Sequence, residues 1–338
     1  MSMPLTPPAH TLILNQLAGY YGIEPTQLHC LTDNLDDGVY GFTREGQDFV
    51  LKYTLQAARL YSTLQAQVDW VNFLAAHDAP VSHPVPSLHG VFVEQLPIND
   101  TFVSVICYEC VPGERPEGTA LTAELFQTWG EVLGKLHALS TQYTPPDLHA
   151  PIDHWDEGII RDRQVIPADQ TIVLKKYDAL VEDAYALPKD QHCYGVIHGD
   201  VQANNLRIDQ GVLRVIDFDN CAYNWFVTDL ATSLYFTLWE PHPTRSNAAF
   251  AAFVLENMLV GYARERVLEA EWIDQLPIFL KRVEMNIYVA IHAYHQAAFQ
   301  SNPAALPSKH HALLRRYRYQ IEHDVPYIES AYNPWISD

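Results

Sequence analysis

The sequence predicts an α+β chain in two lobes, a small antiparallel sheet carrying one helix followed by a larger, mainly helical part. Three observations lead there. The 338 residues suffice for about two folded units at roughly 100–200 residues per domain. A composition of 48% hydrophobic and 18% charged residues suits packed cores and argues against a disordered chain. The spacing of apolar residues also changes near residue 112, from the alternation of strands to the 3–4 period of helices.

The elements follow in order. Val39 to Thr43 and Phe49 to Tyr53 are β-type runs on either side of the polar segment 44–48, so they read as a hairpin with Lys52 on its second arm. Ala57, Leu60, Tyr61, Leu64, Val68, Val71, Leu74 and Ala75 recur at amphipathic-helix spacing, and Gln67 lies on the same stripe. Pro80 to Pro86 break the pattern. Val91 to Val93 and Val103 to Val111 then read as two more strands, the second ended by Pro112-Gly113. Beyond lie helical periods at Phe126 to Leu139, Phe250 to Tyr262 and Trp272 to His295. The boundary divides the chain into residues 1–111 and 112–338, with Pro145-Pro146 and residues 153–162 as loops of the second part.

Charge narrows the partners. With 21 Lys and Arg against 41 Asp and Glu, the formal charge is −20, which repels nucleic acid and favours cations and amines. The five cysteines (Cys30, Cys107, Cys110, Cys193, Cys221) are odd in number and scattered, which fits a reducing compartment. Cys107 and Cys110 form a C-x-x-C inside an apolar run with no second pair, and they read as buried strand cysteines. No basic segment leads into an apolar core at the N-terminus, and no apolar run reaches membrane length, so a cytoplasmic protein is expected. The oligomeric state is not legible.

The densest chemistry lies in His198-Gly199-Asp200, Asn205 and Ile216-Asp217-Phe218-Asp219. Leu206 to Ile208 and Val212 to Ile216 flank the turn sequence Asp209-Gln210-Gly211, and a hairpin there would bring Asn205 and Asp217 to its open end. Asp200 precedes Asn205 in the entering loop. Two oxygen ligands and a free carboxylate suit magnesium-assisted transfer to a hydroxyl: ligands for a hard cation and an acceptor for the hydroxyl proton.

These segments, with Phe49-Val50-Leu51-Lys52, Tyr108 to Gly113, Leu133 to His137 and Thr228 to Ala231, resemble the aminoglycoside phosphotransferase and choline kinase family. The similarity spans nearly the whole chain, and Gly261-Tyr262 and Leu276 to Leu280 add likeness to the branch with bacterial stress-response and homoserine kinase-like proteins. The resemblance implies a two-lobed protein-kinase-like fold, with a nucleotide-binding lobe at 1–111 and a catalytic, substrate-binding lobe at 112–338. It implies ATP and Mg2+ as cofactors and a small hydroxyl acceptor, with amine-bearing metabolites among the candidates. Asp200 would accept or orient the hydroxyl proton, Asn205 and Asp217 would hold the metal, and Lys52 would neutralise the α- and β-phosphates. Glu109 to Val111 would offer backbone groups to adenine. His198 reads as a loop brace and Asp229 as a cap or loop anchor.

Two features depart from the family pattern. Gln67 stands where a glutamate usually pairs with the strand lysine; its amide can accept one hydrogen bond from Lys52 but supplies no ion pair. The phosphate-covering segment Asp36-Asp37-Gly38-Val39-Tyr40-Gly41 has two glycines only, and Gly38 serves a phosphate cradle or an ordinary hairpin equally well. For an amine, Asp153, Trp155, Asp156, Glu157, Tyr223, Trp225, Trp239, Glu240 and Glu284 offer carboxylates and aromatic faces, beside the blander reading of solvated acids near core rings. Competing functions are a protein Ser/Thr kinase of the stress-response type and a nucleotide-binding regulatory module with little catalysis.

Overall fold

The computed structural model describes residues 7–32, 37–56, 59–98, 101–146, 152–239, 242–295 and 308–330. Asp36, Ala57 and Glu240, named above, lie outside them. Two compact units emerge, and neither is continuous in sequence: Met1–Glu114 with Gln142–Ile152 and Leu206–Asp219, and Arg115–Thr141 with Asp153–Asn205 and Asn220–Asp338.

In the first unit, strands β1 (His29–Thr32), β2 (Asp37–Arg44), β3 (Gln47–Gln56), β4 (Pro84–Val85), β5 (Val93–Ile98) and β6 (Thr101–Glu109) form one antiparallel sheet in the order β1-β2-β3-β6-β4, with β5 also on β6. The expected hairpin is β2–β3. Its turn is Glu45-Gly46, with φ of 54° and 81°, the pair of positive values that a two-residue hairpin matching the sheet twist needs. Val91 and Phe92 precede β5 rather than belong to it.

Alternation along β3 decides what covers each face. Phe49, Leu51 and Tyr53 are buried with Ile13, Leu17 and Tyr21 of helix α1 (Pro7–Tyr21). On the opposite face, Ile106, the register partner of Lys52, is buried with Val68 of helix α2 (Arg59–Ala76). The sheet therefore has a helix on each face, α2 being the expected one and α1 an addition. The hairpin of β8 (Leu206–Asp209) and β9 (Val212–Val215) turns at Gln210-Gly211 and joins this unit through backbone bonds of Ile208 with Glu114 and of Val215 with Pro80 and Ser82. Tyr143 joins it too, its ring 4.8 Å from that of Trp70.

The second unit is mainly helical. Helix α3 (Ala123–Ser140) packs closely on α7 (Asn247–Tyr262), because a side chain at Gly130 or Gly261 would collide with the facing backbone at Met258 or Gln127. The other helices are α4 (Ile159–Val165), α5 (Thr171–Tyr185), α6 (Val227–Thr237), α8 (Ala270–Asp274), α9 (Leu276–Tyr294), α10 (Ser308–Glu322) and α11 (Tyr327–Ser330). The long period expected from Trp272 to His295 is two helices, since Pro277 lies in the first turn of α9 and suits a helix start. A short ladder of β7 (Tyr194–Ile197) and β10 (Ala222–Trp225) completes the unit. Among the described residues no helix is long and apolar enough to cross a membrane.

Candidate active site

Within the first unit, the sheet aims Lys52 at the end of the β8–β9 hairpin. Its Nζ lies 3.0 Å from Asp217 Oδ1 and also pairs with Asp219. Burial alone lowers the lysine pKa, but Asp219 and Asp217 outweigh it and hold the pKa above the ordinary value, so Lys52 is a fixed cation. Asp217 has φ of 66°, a left-handed conformation that aspartate tolerates better than most residues and that recurs at functional positions.

Gln67 is buried on α2 and donates from Nε2 to Asp219 Oδ1 at 3.3 Å. The expected Gln67 to Lys52 bond is thus replaced: the strand lysine finds its counter-charges on the hairpin, and the amide steadies one of them. Asp219 had no role in the sequence reading beyond its place in the motif. The signal was there, an acid two residues after Asp217, but its partners are 152 and 167 positions away.

Glu109 ends β6. Its N–H donates to His83 O at 2.9 Å, and its carbonyl accepts from Ser82 Oγ at 2.8 Å. Val111 has left the sheet. Gly38 lies within β2 opposite Tyr53, and a side chain there would collide with the Tyr53 ring. Its glycine is therefore accounted for by packing in a regular strand. Cys107 is buried, whereas Cys110, past the strand end, is exposed, a correction to the paired reading. No cluster of three or more His, Cys, Asp or Glu side chains fit to hold a metal occurs among the described residues.

In the second unit, β7 delivers the loop His198 to Asn205. Asp229 and Ser233, one helical turn apart on α6, hold it from below. Asp229 accepts from the N–H groups of His198 (3.0 Å) and Gly199 (2.8 Å) and lies 3.1 Å from His137 Nε2, while Ser233 Oγ donates to Val201 O. Burial tends to raise the Asp229 pKa, yet His137 and these donors bring it below the ordinary carboxylate value. Burial lowers the His137 pKa despite Asp229. Asp229 is a loop anchor and not a cap, since it is the third residue of α6. His198 is buried and its Nδ1 accepts from Asp200 N–H at 3.2 Å, the bracing expected of it. Gly199 has φ of 83°, and a Cβ there would strike the Asn220 carbonyl, so the loop admits no larger residue.

Both oxygens of Asp200 are held by amides. Gln202 Nε2 donates to Oδ1 and Asn205 Nδ2 to Oδ2, each at 2.9 Å. Asn205 also donates to the Asp200 carbonyl, which turns its own Oδ1 away from these bonds and leaves a hard oxygen suited to a divalent cation. Gln202, Ala203 and Asn204 line a cavity of about 790 Å3 whose other walls include Arg115, Glu117, Phe236, Trp239 and Phe250. Gln202 carried no role in the sequence reading.

Among the described residues, the aromatic and acidic side chains suggested for an amine do not form one site. Trp155 and Trp225 already face the chain's own cations: the Arg282 guanidinium is 4.5 and 5.5 Å from their ring centres, and Lys189 Nζ is 5.2 and 5.7 Å away. Burial pushes the Arg282 pKa down to about 10. Trp239 lines the large cavity, whereas Glu284 lines a separate one of about 230 Å3.

The sequence profile of the Phosphotransferase enzyme family matches residues 31–268. Amicoumacin kinase from Bacillus subtilis (strain 168) is 31% identical over 317 residues, 93% of this chain and 92% of that protein. The solved structure of an amicoumacin kinase with AMP-PNP, Ca2+ and Ami superposes with a TM-score of 0.86 at 31% identity, covering 93% of each chain. A microcompartment-associated aminopropanol kinase shares the fold at a TM-score of 0.73 and 21% identity, over 95% of this chain and 98% of that one. The chain has the protein-kinase-like fold and belongs to the phosphotransferase enzyme family.

Proposed function

We propose that the chain transfers the γ-phosphate of ATP, with a divalent cation such as Mg2+, to a hydroxyl of a small, amine-bearing molecule. The observation that carries this reading is Asp200: an amide steadies each carboxylate oxygen, and the neighbouring loop residues wall a cavity large enough for an acceptor. Asp200 takes the hydroxyl proton as the acceptor oxygen attacks phosphorus and ADP leaves. Asn205 and Asp217 would hold the metal, which would supply charge neutralisation for the phosphates. Lys52 serves the α- and β-phosphates, Gln67 steadies Asp219 beside it, Glu109 to Val111 serve adenine, and Gly38 of β2, one strand over from Lys52, borders the phosphates. Residues 1–111 are assigned to the nucleotide, and residues 112–338 to catalysis and the acceptor. A cytoplasmic location accords with five free cysteines.

The cavity also bears on the acceptor. At about 790 Å3, walled by Phe236, Trp239 and Phe250, it suits a ring-bearing molecule of drug size. The net charge of −20 favours a cationic one, Glu117 in the wall being paired with Arg115. ADP release with Mg-ATP, measured across a panel of aminoglycosides, other ring-bearing amines, small amino alcohols and homoserine, tests the reading. Turnover of ring-bearing amines supports it. Turnover of small amino alcohols alone removes the size argument, and phosphate incorporation into proteins alone would move the chain to the protein-kinase class.

A further inference from the structure

A row of polar side chains runs from the cavity wall to the carboxylate assigned as base. Glu117 pairs with Arg115, whose Nη1 donates to Asn204 Oδ1 at 2.6 Å. Asn204 Nδ2 donates to Gln202 Oε1 at 3.4 Å, and Gln202 Nε2 donates to Asp200 Oδ1 at 2.9 Å. All four side chains from Glu117 to Gln202 line the cavity.

The direction of this row follows from donor chemistry. A guanidinium only donates and a carboxylate only accepts. Each of the two amides between them must therefore turn its oxygen toward Arg115 and its nitrogen toward Asp200. Reversing either would set two donors or two acceptors face to face. Arg115 thus dictates, two side chains away, which group Gln202 presents to Asp200.

We propose that Arg115 is a positioning residue for phosphotransfer, orienting Asp200 through Asn204 and Gln202, so that an acceptor seated in the cavity lies along the same row that sets the base. The proposal rests on the phosphotransfer reading above. Arg115 is exposed and Gln202 partly exposed, so neither is needed to fill a core.

The test is a double-mutant cycle in the full chain, with Mg-ATP and the acceptor that the panel shows to be turned over fastest. Arg115→Met and Gln202→Leu should each lower kcat roughly tenfold, the effect of one lost charge-assisted bond, with the KM for ATP and the melting temperature unchanged. The double variant should fall no further than the weaker single, because the row acts as one unit. Gln202→Glu keeps the shape but loses the donor, and should be at least as slow as Gln202→Leu. Multiplying effects in the double variant, an Arg115→Met change confined to acceptor KM, or full kcat in Gln202→Glu would each overturn the proposal while leaving the kinase reading intact. No turnover of any acceptor by the parent chain would sink the kinase reading and the proposal with it.

Discussion

Lys52 and Asp217, 165 positions apart, meet at 3.0 Å, and Asp219 closes the pair into a cation held by two carboxylates. The lysine of β3 is thereby fixed from the hairpin, where the family pattern would fix it from the helix. This explains how glutamine at position 67 is tolerated: the charge it lacks is supplied elsewhere, and its amide is spent on Asp219.

Restoring the usual residue should therefore harm the protein. Gln67→Glu places a third carboxylate 3.3 Å from Asp219 Oδ1 in a buried position. A loss of about 1–3 kcal/mol is expected from the repulsion and the lost donor, read as a lower urea midpoint, with ATP turnover no faster than the parent's.

Asp200→Asn should keep nucleotide affinity and lose roughly 10²–10⁴ in kcat, the usual worth of a general base. Comparing kcat with a binding measurement for ATP separates the two effects. A variant as fast as the parent removes Asp200 from the mechanism.

Asp229→Asn presents an NH2 group to donors: the N–H groups of His198 and Gly199 on the loop that holds Asp200, and His137 on α3. Breaking one side of a fully buried charged network costs roughly 3–5 kcal/mol. Thermal unfolding should show the loss, and kcat should fall with it because His198 and Gly199, which lead into Asp200, lose their anchor.

Glu284 makes a pH prediction. It is buried, its Oε1 has no hydrogen-bond partner, and burial raises its pKa to about 7 against Lys281 and Arg316, which lower it. The folded chain keeps the proton up to about pH 7, while the unfolded chain releases it near the ordinary glutamate value. Stability from this group is therefore full at low pH and lost as pH rises to about 7. Glu284→Gln, which cannot ionise, should match the parent at acidic pH and be more stable by roughly 3 kcal/mol above neutrality. Urea midpoints of both proteins on each side of this window check it.

What could be read from the sequence was local. The β2–β3 and β8–β9 hairpins carry their turn chemistry within a few residues, α2 and α3 carry their stripe within a few turns, and Lys52, Asp200, Asn205 and Asp217 stand out by spacing along the chain. Residues 7 to 21 illustrate the limit, since α1 is recognised as necessary only once the sheet is seen to bury apolar side chains on both faces. Tertiary structure alone decided which groups meet: Asp219 with Lys52 and Gln67, Arg115 with Asn204 across 89 positions, and Arg282 with the tryptophans otherwise open to an amine. The physical reason is that propensity and period act over one or two turns of chain, whereas the partner of a charge is chosen by whichever distant segment the packing brings within hydrogen-bond reach.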